Sequence, residues 1–257
     1  MSRPLVLLSN DDGYRSRGIE RMRQALERFA DVVVCAPEVE QSATSHALSL
    51  HRPLRLFRHT PTMFSVDGTP ADCVYVALHA GRVLERRPAL VVSGMNHGVN
   101  LGDDVFYSGT VAAAHEGALK SLRAVTLSAA PKADLDGCAE LGARIAETVL
   151  GLPEEPLLIN VNFPAGAVWP VRATRLGTRV YHDGVEFRRD PRGREYLWIG
   201  GPGGVEHREV PGSDTEAYDQ GVVGVTPLVL DLWGRAQQDS AEAVARALGS
   251  DAGGVDA

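Results

Sequence analysis

Short apolar runs alternate with stretches of helical periodicity over the first two-thirds of the chain. Residues 4–9 and 31–36 read as strands, the second ended by Pro37. Between them, residues 18–29 carry apolar side chains at Ile19, Met22, Leu26 and Phe29, the spacing of a helix with one face on a sheet. Residues 50–57 and 63–66 predict strands around a proline-containing turn, and Pro70 opens a helix over 71–84. A buried strand is expected at 89–93. Residues 94–107 hold three glycines and two asparagines with no apolar period, which predicts a long loop. A helix then starts at Ser108 or Gly109 and ends near Lys120, and strands at 124–128 and 157–161 flank a helix over 135–150. The alternation predicts an α/β fold: a Rossmann-like, mostly parallel sheet with helices on both faces.

Beyond Pro164 the pattern changes. Residues 172–181 alternate weakly, Asp190-Pro191-Arg192-Gly193 is a turn, and 195–199 is strand-like, so 172–199 predicts a β-hairpin arm. Its seven arginines make it the basic part of the molecule, a composition that suits a solvated or subunit-contacting arm better than a polyanion site. A strand at 222–230 and a helix at 239–248 complete the pattern. The small and acidic tail, about 249–257, is expected to be disordered.

At 257 residues the chain suits one sizeable core with an appendage. A formal charge of −7 disfavours duplex nucleic acid, whose affinity comes from a basic face neutralising many phosphates. A small phosphate ester needs far less, one cation and a few backbone N–H groups. Cys35, Cys73 and Cys138 have no metal-site spacing and read as small buried hydrophobes in a reducing compartment. No segment has the length of a membrane span, and the apolar run at 5–8 is too short for a signal peptide. A cytoplasmic protein without a membrane partner is expected.

Chemistry enters at the ends of the predicted strands. The first runs into Ser9-Asn10-Asp11-Asp12-Gly13, where open parallel sheets bind ligands, and two adjacent ionised carboxylates usually need a cation beside them. As an isolated motif it is equally well a turn, with Asp11 as a cap. The second strand leads into Glu38-Val39-Glu40-Gln41-Ser42-Ala43-Thr44-Ser45-His46, whose hydroxyls suit a hard cation or a phosphate and whose histidine suits an acid/base group or an ordinary surface position, although such a loop standing alone is by default only a loop. The third leads through Asn96, a neutral oxygen ligand, to Ser108-Gly109-Thr110 at a helix start, where free N–H groups, hydroxyls and the helix dipole suit a phosphate. An ordinary N-cap is compatible with that role. Three such loops after three strands of one sheet converge on a single edge. The dinucleotide, P-loop, serine-hydrolase and HExxH signatures are missing, and position 119 is leucine where a second zinc-binding histidine would have to stand.

With these residues in view the sequence resembles the SurE family of stationary-phase survival proteins, the 5′/3′-nucleotidases. The resemblance rests on LLSNDDG at 7–13, APEVEQSATSHALSL at 36–50, VDGTPADCVYVAL at 66–78, VVSGMNHGVNLGDDVFYSGTVAAAHEG at 91–117, DPRGREYLWIGG at 190–201 and SDTEAYDQGVVGVTPL at 213–228. It implies a single domain over 1–257 that dephosphorylates nucleoside monophosphates at either ribose position, with short polyphosphate as a further substrate. It implies one divalent metal, usually magnesium or manganese, on Asp11, Asp12, Ser42 and Asn96, with Asp11, Asp12 and Asn96 also catalytic. Ser108, Gly109 and Thr110, with Asn100 nearby, are implied at the phosphate. It also implies a homodimer or homotetramer in which the hairpin arm and C-terminal segment exchange between subunits. The loop at 38–46 departs from the family pattern: Val39-Glu40 precede Gln41-Ser42, and His46 stands where the family has asparagine. Rival readings are a Rossmann-like oxidoreductase, which the missing glycine fingerprint disfavours, and a non-catalytic nucleotide-binding regulator.

Overall fold

The structure, a computed structural model, describes residues 3–153, 156–182, 184–200 and 204–249. Strand β1 (Leu5–Ser9) is apolar at every position but its last and buried throughout, as a strand covered on both faces must be. Helix α1 (Arg17–Leu26) follows, capped by the Ser16 hydroxyl, which accepts from the Ile19 N–H. Then come β2 (Asp31–Pro37), β3 (Leu56–Thr60), β4 (Met63–Val66) and α2 (Pro70–His79). Thr69 and Asp72 close a reciprocal capping box at the start of α2, with proline in its first turn. Strand β5 (Leu90–His97), helix α3 (Gly109–Leu119), β6 (Arg123–Ala129), α4 (Leu135–Leu150) and β7 (Leu157–Phe163) complete the parallel body.

Among the described residues the main sheet has the order β3-β4-β2-β1-β5-β6-β7-β13-β8, where β8 is Val171–Ala173 and β13 is Val223–Leu228. The run from β4 to β7 is parallel, while β3 and β13 pair antiparallel with β4 and β7. Strand β1 lies between β2 and β5, so the chain leaves it in one direction and returns on its other side. That reversal opens a crevice at the carboxyl ends of β1 and β5. Alternate side chains of the strands feed two cores. Val6, Leu8 and Val92 pack with Ile19 and Met22 of α1 and Ala143 of α4. Leu5, Leu7 and Val91 pack with Val74 of α2 and Ala113 of α3 on the other face.

Three expectations need correction. The strand expected at 50–57 forms instead at Leu56–Thr60, because β4 pairs with Leu56, Phe57, Arg58 and Thr60. The loop expected at 94–107 is partly regular. Strand β5 shifts register after Ser93 and pairs again through Asn96↔Ser128 and His97↔Ala129, and Gly102–Phe106 forms a 3-10 turn. The arm expected over 172–199 is divided. Strand β8 joins the main sheet beside β13, β9 (Arg179–Tyr181) pairs with β12 (Val205–His207), and β10 (Val185–Arg189) with β11 (Glu195–Ile199) makes the hairpin. The backbone of 171–182 therefore finds partners outside the hairpin, which weak alternation could not reveal. A short helix, α5 (Asp214–Asp219), precedes β13, and α6 (Gln238–Ala247) follows it. The expected disorder of the tail lies outside the described residues from 250 onward.

Candidate active site

Asp11 stands just past the end of β1, nearly fully buried. It does not cap α1, a role that belongs to Ser16; its two carboxylate oxygens instead accept from the N–H (3.1 Å) and the hydroxyl of Thr110, in the first turn of α3. Burial pushes the Asp11 carboxyl up to about 6; the Thr110 hydroxyl opposes this shift and the neighbouring Asp12 charge adds to it. Asp12 is less buried and accepts from the His97 N–H at 3.0 Å, which ties the end of β1 to the end of β5. Burial raises its carboxyl too, against the His97 N–H and with the help of the Glu40 charge.

The helix start is shaped around Asp11. Ser108 caps α3, its hydroxyl oxygen accepting from the Val111 N–H at 3.1 Å. A Cβ added to Gly109 would lie 3.0 Å from the Asp11 Cβ and 3.0 Å from the Pro70 Cγ, so a side chain has no room between the acid and α2. The Gly109 N–H belongs to the first turn, for which the helix supplies no acceptor. Thr110 was expected at a phosphate, but both its donors are taken by Asp11. Asn100 was expected there too, and its amide donates to the Ser128 Oγ at 2.8 Å.

Asp11, Ser42, Asn96, Asn100 and Ser108 line one open cavity of about 950 Å3, whose lining also includes Tyr107, Arg179 and Arg208. Asp12 instead lines an adjoining cavity of about 530 Å3 between the starts of α1 and α4, and Asn96 and His97 belong to both. Asn96 and His97 thus stand on the partition between the two spaces, and Asp12 is joined to it through the His97 N–H. Asn96 donates to the Gly98 carbonyl at 2.9 Å, which leaves its amide oxygen as the free donor for a cation. The Ser42 hydroxyl donates to Glu40 at 2.7 Å, turning the oxygen's lone pairs elsewhere. This set of two carboxylates, an amide oxygen and a hydroxyl suits a hard divalent cation. No group of three or more His, Cys, Asp or Glu is gathered among the described residues.

Sequence reasoning missed a buried polar lattice under this corner. The Asn100 carbonyl accepts from both Asn160 and Asn162 at 2.9 Å, its N–H donates to the Asn162 Oδ1 at 2.7 Å, and Thr126 donates to Asn160 at 2.5 Å. The signal was available: Asn160 and Asn162 are polar positions two apart in an otherwise apolar strand, so they share one face. A second missed group, Asp104, takes hydrogen bonds from Arg179 and Tyr181, and all three line the larger cavity. Burial and the adjacent Asp104 push the Tyr181 phenol up to about 12. Arg179 and Arg172, which pairs with Glu216 at 3.3 Å, are thereby engaged inside the molecule.

A family model described as "Survival protein SurE" matches residues 6–183. The chain belongs to the SurE family. A SurE relative from Sorangium cellulosum (strain So ce56), named 5′-nucleotidase SurE, is 64% identical over 238 residues, which cover 90% of this chain and 92% of the relative. One of the same name from Anaeromyxobacter sp. (strain Fw109-5) is 52% identical over 231 residues, covering 88% and 90%. The crystal structure of the SurE protein from Aquifex aeolicus superposes with a TM-score of 0.80 at 36% identity, covering 94% of this chain and 99% of that one. The mixed, mostly parallel α/β architecture is therefore that of a solved SurE structure.

Proposed function

We propose that this protein is a divalent-cation-dependent phosphomonoesterase that converts nucleoside 5′- and 3′-monophosphates to nucleoside and inorganic phosphate. The observation that carries the reading is the contact between Asp11 and the first turn of α3, which joins an acidic corner to a helix start beside one cavity. Two relatives named 5′-nucleotidase that align over most of their length support the same activity.

Asp11, Asp12, Ser42 and Asn96 would hold one magnesium or manganese ion. Such an ion would supply charge neutralisation and Lewis acidity toward a phosphoryl oxygen. The Ser108 hydroxyl, the Gly109 N–H and the positive end of α3 would meet the equatorial oxygens, whose charge must be balanced as water adds and the ester P–O bond breaks. Thr110 acts one step back, orienting Asp11. Asn100 fixes the backbone between Asn96 and the helix start.

A phosphate-release screen over mononucleotides and short polyphosphates, with and without chelator, tests this reading. Chelator-sensitive release from mononucleotides is expected, and Asp11→Asn and Asn96→Ala should each reduce it to background. Nucleotide binding without release, in the presence of manganese, would replace the enzyme with a regulator.

Homo-oligomerisation through the hairpin is part of the proposal. Val185, Phe187, Leu197 and Ile199 fall on one face of β10-β11, and Ile199 is 87% exposed in the single chain, an apolar face that calls for a partner. A dimer or tetramer in light scattering that Phe187→Asp dissociates is the expected result. A cytoplasmic setting fits the three buried free thiols, and no helix among the described residues is long and apolar enough to cross a membrane.

A further inference from the structure

Glu116 is a carboxylate with no part in the chemistry above, yet its side chain is only 3% exposed. It sits two turns into α3, a helix whose other buried residues are mostly alanine and glycine. Burying a charge there is costly unless it is paired. The helix offers Lys120, but at 3.5 Å; the shorter contact, 2.9 Å, is to the Nε2 of His46, which lies 70 residues away in the chain. The His46 ring also packs against that of His115, with centroids 4.9 Å apart.

His46 lies four residues after Ser42 in the loop between β2 and β3. Two residues between them, Ala43 and Ser45, have φ of 56° and 51°, a left-handed region that is unfavourable for residues bearing a side chain. Such a loop keeps its shape only if something outside it holds both ends. Ahead of Ser42, the Gln41 N–H donates to the Asp11 carbonyl at 2.8 Å. Behind it, the Ser45 N–H donates to the Tyr107 carbonyl at 3.0 Å, and His46 meets Glu116. The same helix therefore carries the cradle at Ser108–Gly109 and the anchor for the loop that bears Ser42.

We infer that Glu116 is a positioning residue that, through His46, fixes the loop presenting Ser42 to the site. The inference rests on the cation-site reading of Asp11, Asp12, Ser42 and Asn96. It assigns a purpose to the histidine at position 46 and to a carboxylate that would otherwise be a buried liability.

The test is calorimetric titration of Mn2+ into the full-length protein and its variants, with thermal melting to confirm folding and phosphate release as a second readout. His46→Ala should weaken Mn2+ about tenfold, the usual size of an effect exerted through a ligand's support, with kcat at saturating Mn2+ changed far less. His46→Gln, which keeps a donor near the Nε2 position, should recover most of the loss. Lys120→Met removes the other partner of Glu116 without touching the loop and should bind Mn2+ as the wild type does. Combining His46→Ala with Ser42→Ala should cost no more than Ser42→Ala alone, because both act through one ligand. Glu116→Gln should fall between wild type and His46→Ala; if it does not fold, the His46 pair decides the matter. Unchanged Mn2+ affinity in His46→Ala, equal losses in Lys120→Met, or additive losses with Ser42→Ala would each overturn the inference. Failure of the underlying reading looks different: Asp11→Asn would then bind Mn2+ as tightly as wild type.

Discussion

The start of α3 and the loop at 38–49 face the same cavity, but they are held in place by different physics. At α3 the geometry belongs to a regular element: the Ser108 cap, the first-turn N–H groups and the side-chain-free Gly109 are set once the helix packs on Asp11 and Pro70. The loop has no ladder of its own and two residues in left-handed conformations. It depends on contacts to Asp11, Tyr107, Glu116, Thr69 and Asp72 contributed from elsewhere in the chain. One wall of the site is preorganised by secondary structure, and the other only by tertiary contact. Disturbing the first should damage chemistry at once, while disturbing the second should first weaken binding.

The largest effect is expected where the rigid wall is tightest. Gly109→Ala forces a methyl to within about 3 Å of Asp11 and Pro70, and turnover should drop by about 100-fold or more at saturating cation and substrate. Steady-state kinetics would show this as a kcat effect. A mutant with near wild-type kcat would mean that α3 can retreat, and the contrast between the two walls would lose its basis.

The next effect is read in stability. The Asp11 carboxyl lies at about 6 in the folded protein against an ordinary 3.8, so between about pH 4 and 6 the folded chain keeps a proton that the unfolded chain has released. Stability of the metal-free protein must then fall as pH rises through that window and level off above it, by roughly 2–3 kcal/mol from this group. Urea melts in chelator should find Asp11→Asn close to wild type near pH 4 and more stable than wild type at pH 7. Parallel pH profiles would show that the carboxylate is not penalised by burial.

A smaller effect is expected under the corner. Asn162→Ala removes one donor and one acceptor of Asn100 and should cost about 1–3 kcal/mol in a denaturant melt. It should also lower Mn2+ affinity less than His46→Ala does, because the Asn160 contact remains.

The two walls also differ in how far the sequence revealed them. Strands β1, β2, β6 and β7 and helices α1 and α4 could be placed from apolar periodicity because each buries a continuous face. Ser108 and Gly109 could be placed because cap chemistry is local. The second half of β5 was hidden because its pairing resumes after a register shift, and the partners of 171–182 were hidden because they lie after the hairpin. The divided loyalties of Thr110 and Asn100 were equally invisible. Their residue types suited a phosphate, but buried donors go to the nearest strong acceptor, and Asp11 and Ser128 reach them first. The His46–Glu116 contact joins residues 70 apart, which no local pattern encodes.

The central claim is that oxygens from Asp11, Asp12, Ser42 and Asn96 surround one cation at the crevice between β1 and β5. Anomalous scattering from crystals equilibrated with Mn2+ tests it most directly. One strong peak bounded by those four side chains, and abolished in Asp11→Asn, is the result expected. A peak elsewhere, or none at saturating Mn2+ in a protein that still releases phosphate, would contradict it.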